Sequence, residues 1–330
     1  MTMPLRRSHK NRINISALPL CALMWMITMP AGAALITAVP PGTNCQSGPL
    51  CGLYADVSGS ASASLTGGQA FSHPPSWTAT NSLFINESAT DSSGAFASAS
   101  TTDFATFGAL RSGTRALSSG SGPNPHASSI ANATIAFQDR LTFLLAGVPA
   151  GTTATMVGRL HASGSVNASS DPSPFAEASA LAQAVASGGI GLVIHSVQAL
   201  SDGRVIGGIP GVITFEAGVK FNEPDFTLLF VQLRTAAQSS ALSIPGQFRS
   251  AAANADFFSS LEWDGIDSVL DAQGNPITGW SLTSVSGFDY TRSFAAQLPA
   301  AVPEPGSWAL MITGLALLGF VGRRRKQKDA

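Results

Sequence analysis

Hydrophobic and polar residues alternate with a period of two through much of residues 35–301, and no long stretch there repeats at helical spacing. The clearest case is 133–143. Ile135, Phe137, Leu141 and Phe143 fall on one face, and Thr134, Ala136, Gln138, Arg140 and Thr142 fall on the other. Gly147-Val148-Pro149-Ala150-Gly151 then turns the chain. Residues 152–161 resume the alternation with Ala154, Met156 and Leu160 on the apolar side, so the two segments predict a hairpin. From Ala176 to Ala186 every second residue is alanine. Alanine favours helix, but a helix would scatter Phe175, Leu181 and Val185, which a strand aligns; strand is the reading.

The same Ala/Ser alternation recurs over 59–65 and 95–102. Further strands are expected over 191–199, 211–221, 226–235, 247–258 and 277–290, punctuated by Gly203, Gly207, Gly208 and Asn275-Pro276. Many short strands separated by turn residues predict an all-β body, an antiparallel β-sandwich or jelly-roll-like fold, spanning 35–301 as one domain. The Ser-, Gly- and Pro-rich stretch 113–125 reads as an internal loop or boundary.

The two ends break this pattern. Arg6, Arg7, Lys10 and Arg12 precede a mostly apolar run from Ile13 to Met29, followed by Pro30-Ala31-Gly32-Ala33-Ala34. A basic start, an apolar run and a small-residue site predict a signal peptide over 1–34 cut by signal peptidase; a retained membrane anchor is the competing reading. At the other end, Val302-Pro303-Glu304-Pro305 leads into an almost wholly apolar run, with a helix expected over about 307–322. Arg323, Arg324, Arg325 and Lys326 then form a basic stop before a cytoplasmic tail, 327–330. The apolar run is shorter than the ~20 residues of an ordinary membrane-spanning helix. Each proline fixes its own φ and keeps its predecessor out of the helical region, so the Pro303-Glu304-Pro305 stretch is extended.

An extended acidic motif, a short apolar helix and a basic stop, in that order over 302–326, closely resemble the PEP-CTERM sorting signal of Gram-negative bacteria. The resemblance implies recognition by an exosortase, a membrane-embedded cysteine transpeptidase, with Val302, Pro303, Glu304 and Pro305 as recognised residues of a substrate. It implies export to the cell envelope, outer surface or extracellular matrix alongside polysaccharide, with transient anchoring in the inner membrane through the C-terminal helix. The segment from Asp267 to Tyr290 also looks like the terminal hairpin of such exported proteins.

Charge sharpens the division between ends and body. Only 11% of the residues are charged, against roughly 25% in an ordinary soluble domain. The net charge of −1 is the sum of two basic ends and an acidic middle: residues 34–301 hold 17 Asp and Glu against nine Lys and Arg. A body of net −8 with one lysine, Lys220, excludes a basic nucleic-acid binder, and its low charge excludes a highly charged disordered chain. Cys21 lies within the expected signal peptide, which leaves Cys45 and Cys51. Two cysteines in an oxidising compartment, with Gly48 and Pro49 between them, predict a small disulfide loop.

Candidate chemistry in the body is sparse. No G-x-S-x-G elbow and no paired-histidine motif occurs; His73, His126, His161 and His195 lie far apart in sequence. Gly188-Gly189-Ile190-Gly191 lacks the third glycine of a dinucleotide site. Glu262, Asp264, Asp267 and Asp271 form the densest acidic cluster, but their spacing is not that of a Ca²⁺ loop, and polar faces of a strand and turn explain them. Trp77, Trp263 and Trp280 would stack on sugars if exposed and fill the core if not. No catalytic residue, metal or cofactor is therefore expected. The sequence points to a non-enzymatic exported protein of structural or adhesive type. A carbohydrate-binding module acting on extracellular polysaccharide is the alternative, and a secreted polysaccharide-degrading enzyme is a third.

Overall fold

The computed structural model describes residues 51–298, apart from 64–67, 79–81, 92–94, 121–125, 173–175, 189–191, 210, 225–226 and 243–246. The expected signal peptide, Cys45 and the whole of 302–330 lie outside the described residues. What is described is almost entirely strand, as the alternation predicts. In chain order the strands are β1 (Gly52–Ser62), β2 (Gln69–Thr78), β3 (Ser82–Asp91), β4 (Ala95–Thr106), β5 (Ala109–Gly120), β6 (His126–Leu144) and β7 (Thr152–Ser170). There follow β8 (Ala176–Ser187), β9 (Leu192–Leu200), β10 (Val205–Gly207), β11 (Val212–Phe221), β12 (Thr227–Leu242), β13 (Arg249–Leu270) and β14 (Ser281–Ser284). One short helix, α1 (Phe294–Gln297), closes the described chain; Ser293 caps it by accepting from Ala296 N.

Hydrogen bonding joins these strands into one 14-stranded mixed sheet, whereas the sandwich or jelly-roll expectation implied separate antiparallel sheets. One half of the path runs β10-β9-β8-β12-β6, with β1 and β14 on the far side of β6 and β2 beyond β1. The other half runs β11-β7-β13-β5-β4-β3. They meet through two parallel contacts: Phe221 opposite Phe143, where β11 reaches the end of the 19-residue β6, and an isolated bridge from Gly188, just past β8, to Ala217 of β11. Every other strand–strand pairing is antiparallel. The halves also meet face to face: β12 packs over β5 and β13, β6 over β4 and β5, and β8 over β13.

Several sequence expectations change here. The predicted hairpin of β6 and β7 does not form; β6 pairs with β12, β1 and β14, and β7 with β11 and β13. The turn instead carries the chain from one half to the other. Asn222 clamps it, accepting from Leu145 N at 3.1 Å and donating to the carbonyls of Leu145 and Val148 at 2.9 Å. Asn222 does this at φ 58, a left-handed conformation that asparagine tolerates better than most side chains. The supposed loop from 113 is strand through Gly120, because its small alternate residues Ser112, Thr114, Ala116 and Ser118 fit the buried face. Strand over 277–290 shrinks to β14, which pairs with β6, and the resembled terminal hairpin returns on β13 through one bridge, Leu270 to Pro276. In β8 the strand expectation holds, but the alanines at 176, 178, 180, 182, 184 and 186 face the core, while Leu181 lies on the opposite face.

The interior has two textures. One region is aromatic: Trp263 lies 5.3 Å from Tyr290 and 5.9 Å from Phe215, both edge-to-face, and donates its indole N–H to Tyr290 O at 2.8 Å. Gly158 makes room for this cluster; an added Cβ would lie 2.8 Å from Phe215 and 3.0 Å from Trp263. Elsewhere the buried residues are small. Ala61, Ala63, Ala89, Ala97, Ala99, Ala127 and Ala131 form a second cluster. Hydroxyls bridge the halves nearby: Ser112 Oγ lies 2.6 Å from Thr235 Oγ1, and Ser129 Oγ donates to Leu117 O at 2.9 Å. Short side chains let facing strands approach closely enough for such contacts, inside the ~10 Å separation of ordinary stacked sheets.

Candidate surface site

Both strand halves turn one face outward, and the face over β3, β4, β5, β13 and β7 is the more regular. Cross-strand register aligns Ser88, Ser100, Arg115, Asn254 and Asn167 in one row, and Asn86, Thr102, Gly113, Asp256 and Ser165 in the next. Period-two alternation produces this, since the inward partners are Ala99, Thr101, Thr114, Ala116 and Ala255. Thr102 Oγ1 donates to Asn86 Oδ1 at 3.2 Å across the outer pair. The row above carries Phe84, 61% exposed, opposite Phe104 and then Arg111.

An open depression of about 380 Å³ lies at the far end of this face. Phe96, Leu117, Ser119, Ser169, Asp171 and Ser250 line it. Phe96, 41% exposed, pairs with Ser119, which in turn pairs with Ser250 of β13. Asp171 Oδ2 accepts from Ser250 N at 2.6 Å and from Ser250 Oγ at 3.2 Å, which fixes the carboxylate at the rim. Chemically this is an aromatic ring and an aliphatic floor beside hydroxyls and a carboxylate.

The residues picked out in the sequence are scattered by comparison. Trp263 is buried, and Trp280 packs against the core with its ring 5.8 Å from Phe143. The Trp77 side chain lies outside the described residues. His73, His126, His161 and His195 sit on four different strands, β2, β6, β7 and β9. The acidic cluster is divided among separate partners. Glu262 pairs with Arg111 at 3.1 Å, and Arg159 reaches Asp264 at 3.7 Å and Asp267 at 3.3 Å. Asp271 accepts from Gln273 N, Asn275 N and Asn275 Nδ2 at 2.9, 2.8 and 3.1 Å, and these hydrogen bonds lower its pKa. Among the described residues, no three metal-ligating His, Cys, Asp or Glu side chains converge. Cys51 is buried beside the start of β1, while Cys45, its expected disulfide partner, lies outside the described residues.

Sequence reading missed Phe96, Asp171 and Ser250 as a set. They lie far apart in the chain, and only the β4-β5-β13 register joins them. The signal available was weak: Phe96 is the one large residue in the alternating Ala/Ser run of β4's first half.

The end of the chain gives the firmest identification. Residues 301–326 match the family described as the PEP-CTERM protein-sorting motif. The chain carries this motif. The match takes in Val302, Pro303, Glu304, Pro305 and the basic stop Arg323, Arg324 and Arg325. A PEP-CTERM motif implies an exported, exosortase-processed protein of the cell envelope. No curated protein and no solved structure matches the chain.

Proposed function

We propose that the chain is a non-enzymatic surface or extracellular-matrix protein of structural or adhesive type. In this reading the two facing halves act as a β-sandwich-type body displayed after sorting. The observation that carries it is the outer face of β3, β4, β5, β13 and β7: a wide, register-aligned array in which short hydroxyl and amide side chains outnumber the charged Arg115 and Asp256, joined to a PEP-CTERM signal. Such a face offers many weak polar contacts and little charge, which suits multivalent adhesion better than capture of one small molecule. Signal peptidase and an exosortase-type transpeptidase are its processing partners, with the C-terminal helix holding the precursor in the inner membrane, and a Cys45–Cys51 disulfide pins the new N-terminus. The test is deletion of the chain in its host. Attachment or matrix cohesion should fall and return with the intact gene; unchanged attachment and matrix would overturn the reading.

A second reading has its own observation, the depression around Phe96. It assigns the body to carbohydrate binding, with a polysaccharide sugar stacked on Phe96 and hydrogen-bonded by Ser119, Ser169 and Asp171. A glycan-binding screen separates the readings. Binding that disappears in Phe96→Ala and in Asp171→Asn supports the second; binding that both variants retain, or no binding, removes it.

A further inference from the structure

The small-residue interior contains a carboxylate for which the proposed surface roles have no use. Asp103 on β4 is 1% exposed. Its Oδ1 accepts from Ser112 Oγ at 2.5 Å, and Ser112 Oγ lies 2.6 Å from Thr235 Oγ1 of the facing half. Asp103 Oδ2, Thr101 Oγ1 and Thr114 Oγ1 are buried beside this chain with no hydrogen-bond partner among the described residues. The register places these groups together, Asp103 opposite Ser112 and Thr101 opposite Thr114. The carboxylate therefore belongs to a hydroxyl chain that crosses from one half to the other.

Among the described residues, the surroundings supply no positive charge. On β3 the residue opposite Asp103 is Ile85, and the ionisable groups that share its face are Glu87 and Asp91. On β5 the inward neighbours are Ser112 and Thr114, with Arg111 and Arg115 on the outer face. On β12 the facing group is Thr235, with Arg234 outward. Along β6 the ionisable inward residue is Asp139, and the inward residues of β1 and of β13 from Ala251 to Phe257 are uncharged. An ionised Asp103 would thus be a buried charge without a counter-ion, held by neutral hydroxyls only, while a protonated Asp103 can donate to the hydroxyl oxygens around it.

We infer that Asp103, Ser112 and Thr235 form a proton-dependent clasp between the two halves, closed when Asp103 is protonated and loosened when it is ionised. Burial pushes this carboxyl up to about 7, against the opposing pull of the neighbouring hydroxyls, Ser112 first and then Thr101, which sets the transition near neutral pH. The device makes the small-residue region of an exported body respond to the acidity outside the cell.

The test is amide hydrogen exchange of the full chain at pH 5 and pH 8.5, corrected for intrinsic rates. Amides of β4, β5 and β12 near Asp103, Ser112 and Thr235 should exchange roughly a hundred-fold faster at pH 8.5, with a smaller change around Trp263. Asp103→Asn, which cannot ionise, should remove the excess of this change over that around Trp263, leaving the smaller change that Asp139 imposes on the whole body. Equal protection at both pH values in the wild-type chain overturns the clasp, and so does an excess at these amides over those around Trp263 that survives in Asp103→Asn. The wild-type comparison decides the matter even where the variant folds poorly.

Discussion

The aromatic and small-residue regions of the interior solve the same problem in opposite ways. Around Trp263, Tyr290 and Phe215 a few large side chains fill the space between strands, and each buries a large apolar area. Around Ala97, Ala99 and Ala131 no single residue contributes much, and cohesion comes from close approach and from hydroxyls that bond across the gap. The first region should be sensitive to removal of volume and the second to addition of volume or charge. That contrast explains how a chain with so much Ala, Ser, Thr and Gly still builds a buried core.

The largest effect is expected from Trp263→Ala. It empties a fully buried site and strands the Tyr290 carbonyl, so stability should fall by about 4 kcal/mol, read by chemical denaturation. A loss below about 1 kcal/mol would show that the aromatic region is not the anchor.

Protonation comes next. Asp139, buried against Ser286, which donates to it through both N and Oγ, has its carboxyl raised by burial to about 6. A folded pKa above the unfolded value of about 4 means that the folded state binds the extra proton. Stability from this group is complete below about pH 4 and is lost as pH rises through about 6, by up to about 3 kcal/mol. Thermal unfolding should therefore occur at higher temperature at pH 5 than at pH 8, and Asp139→Asn should reduce the gap.

The small-residue region should fail in the opposite sense from Trp263. Ala99 is fully buried, and Ala99→Leu should destabilise by about 2 kcal/mol through overpacking, although it adds hydrophobic surface. A neutral or stabilising result would mean that the region has free volume. The smallest effect on stability belongs to the surface: Phe96→Ala should change it by less than about 1 kcal/mol. Its readout is loss of glycan retention, if the depression binds sugar.

Local patterning is enough to locate most of the strands. Ile135, Phe137, Leu141 and Phe143 lie on the buried face as their alternation requires, and the alanine run of β8 is a strand. Pairing is harder to read. β6 and β7 look like a hairpin because alternation and turn residues are local signals, while their actual partners β12 and β13 lie much further along the chain. The same limit hides the depression at Phe96, assembled from β4, β5, β7 and β13, and the clasp at Asp103. Polar alternation around Ser112 to Ser118 resembles a loop because a dry interior of hydroxyls and alanines has the composition of a linker. The sorting signal is legible for the converse reason: its parts are contiguous, and a receptor reads them in order.

Adhesion, polysaccharide contact and response to outside acidity all require the body to leave the cell. Replacing Glu304 by Ala in the natural host and following the chain by immunoblot of membrane and surface fractions tests this directly. Unprocessed precursor should accumulate in the membrane fraction while the body disappears from the surface. A body of normal size and amount at the surface of that variant would contradict it.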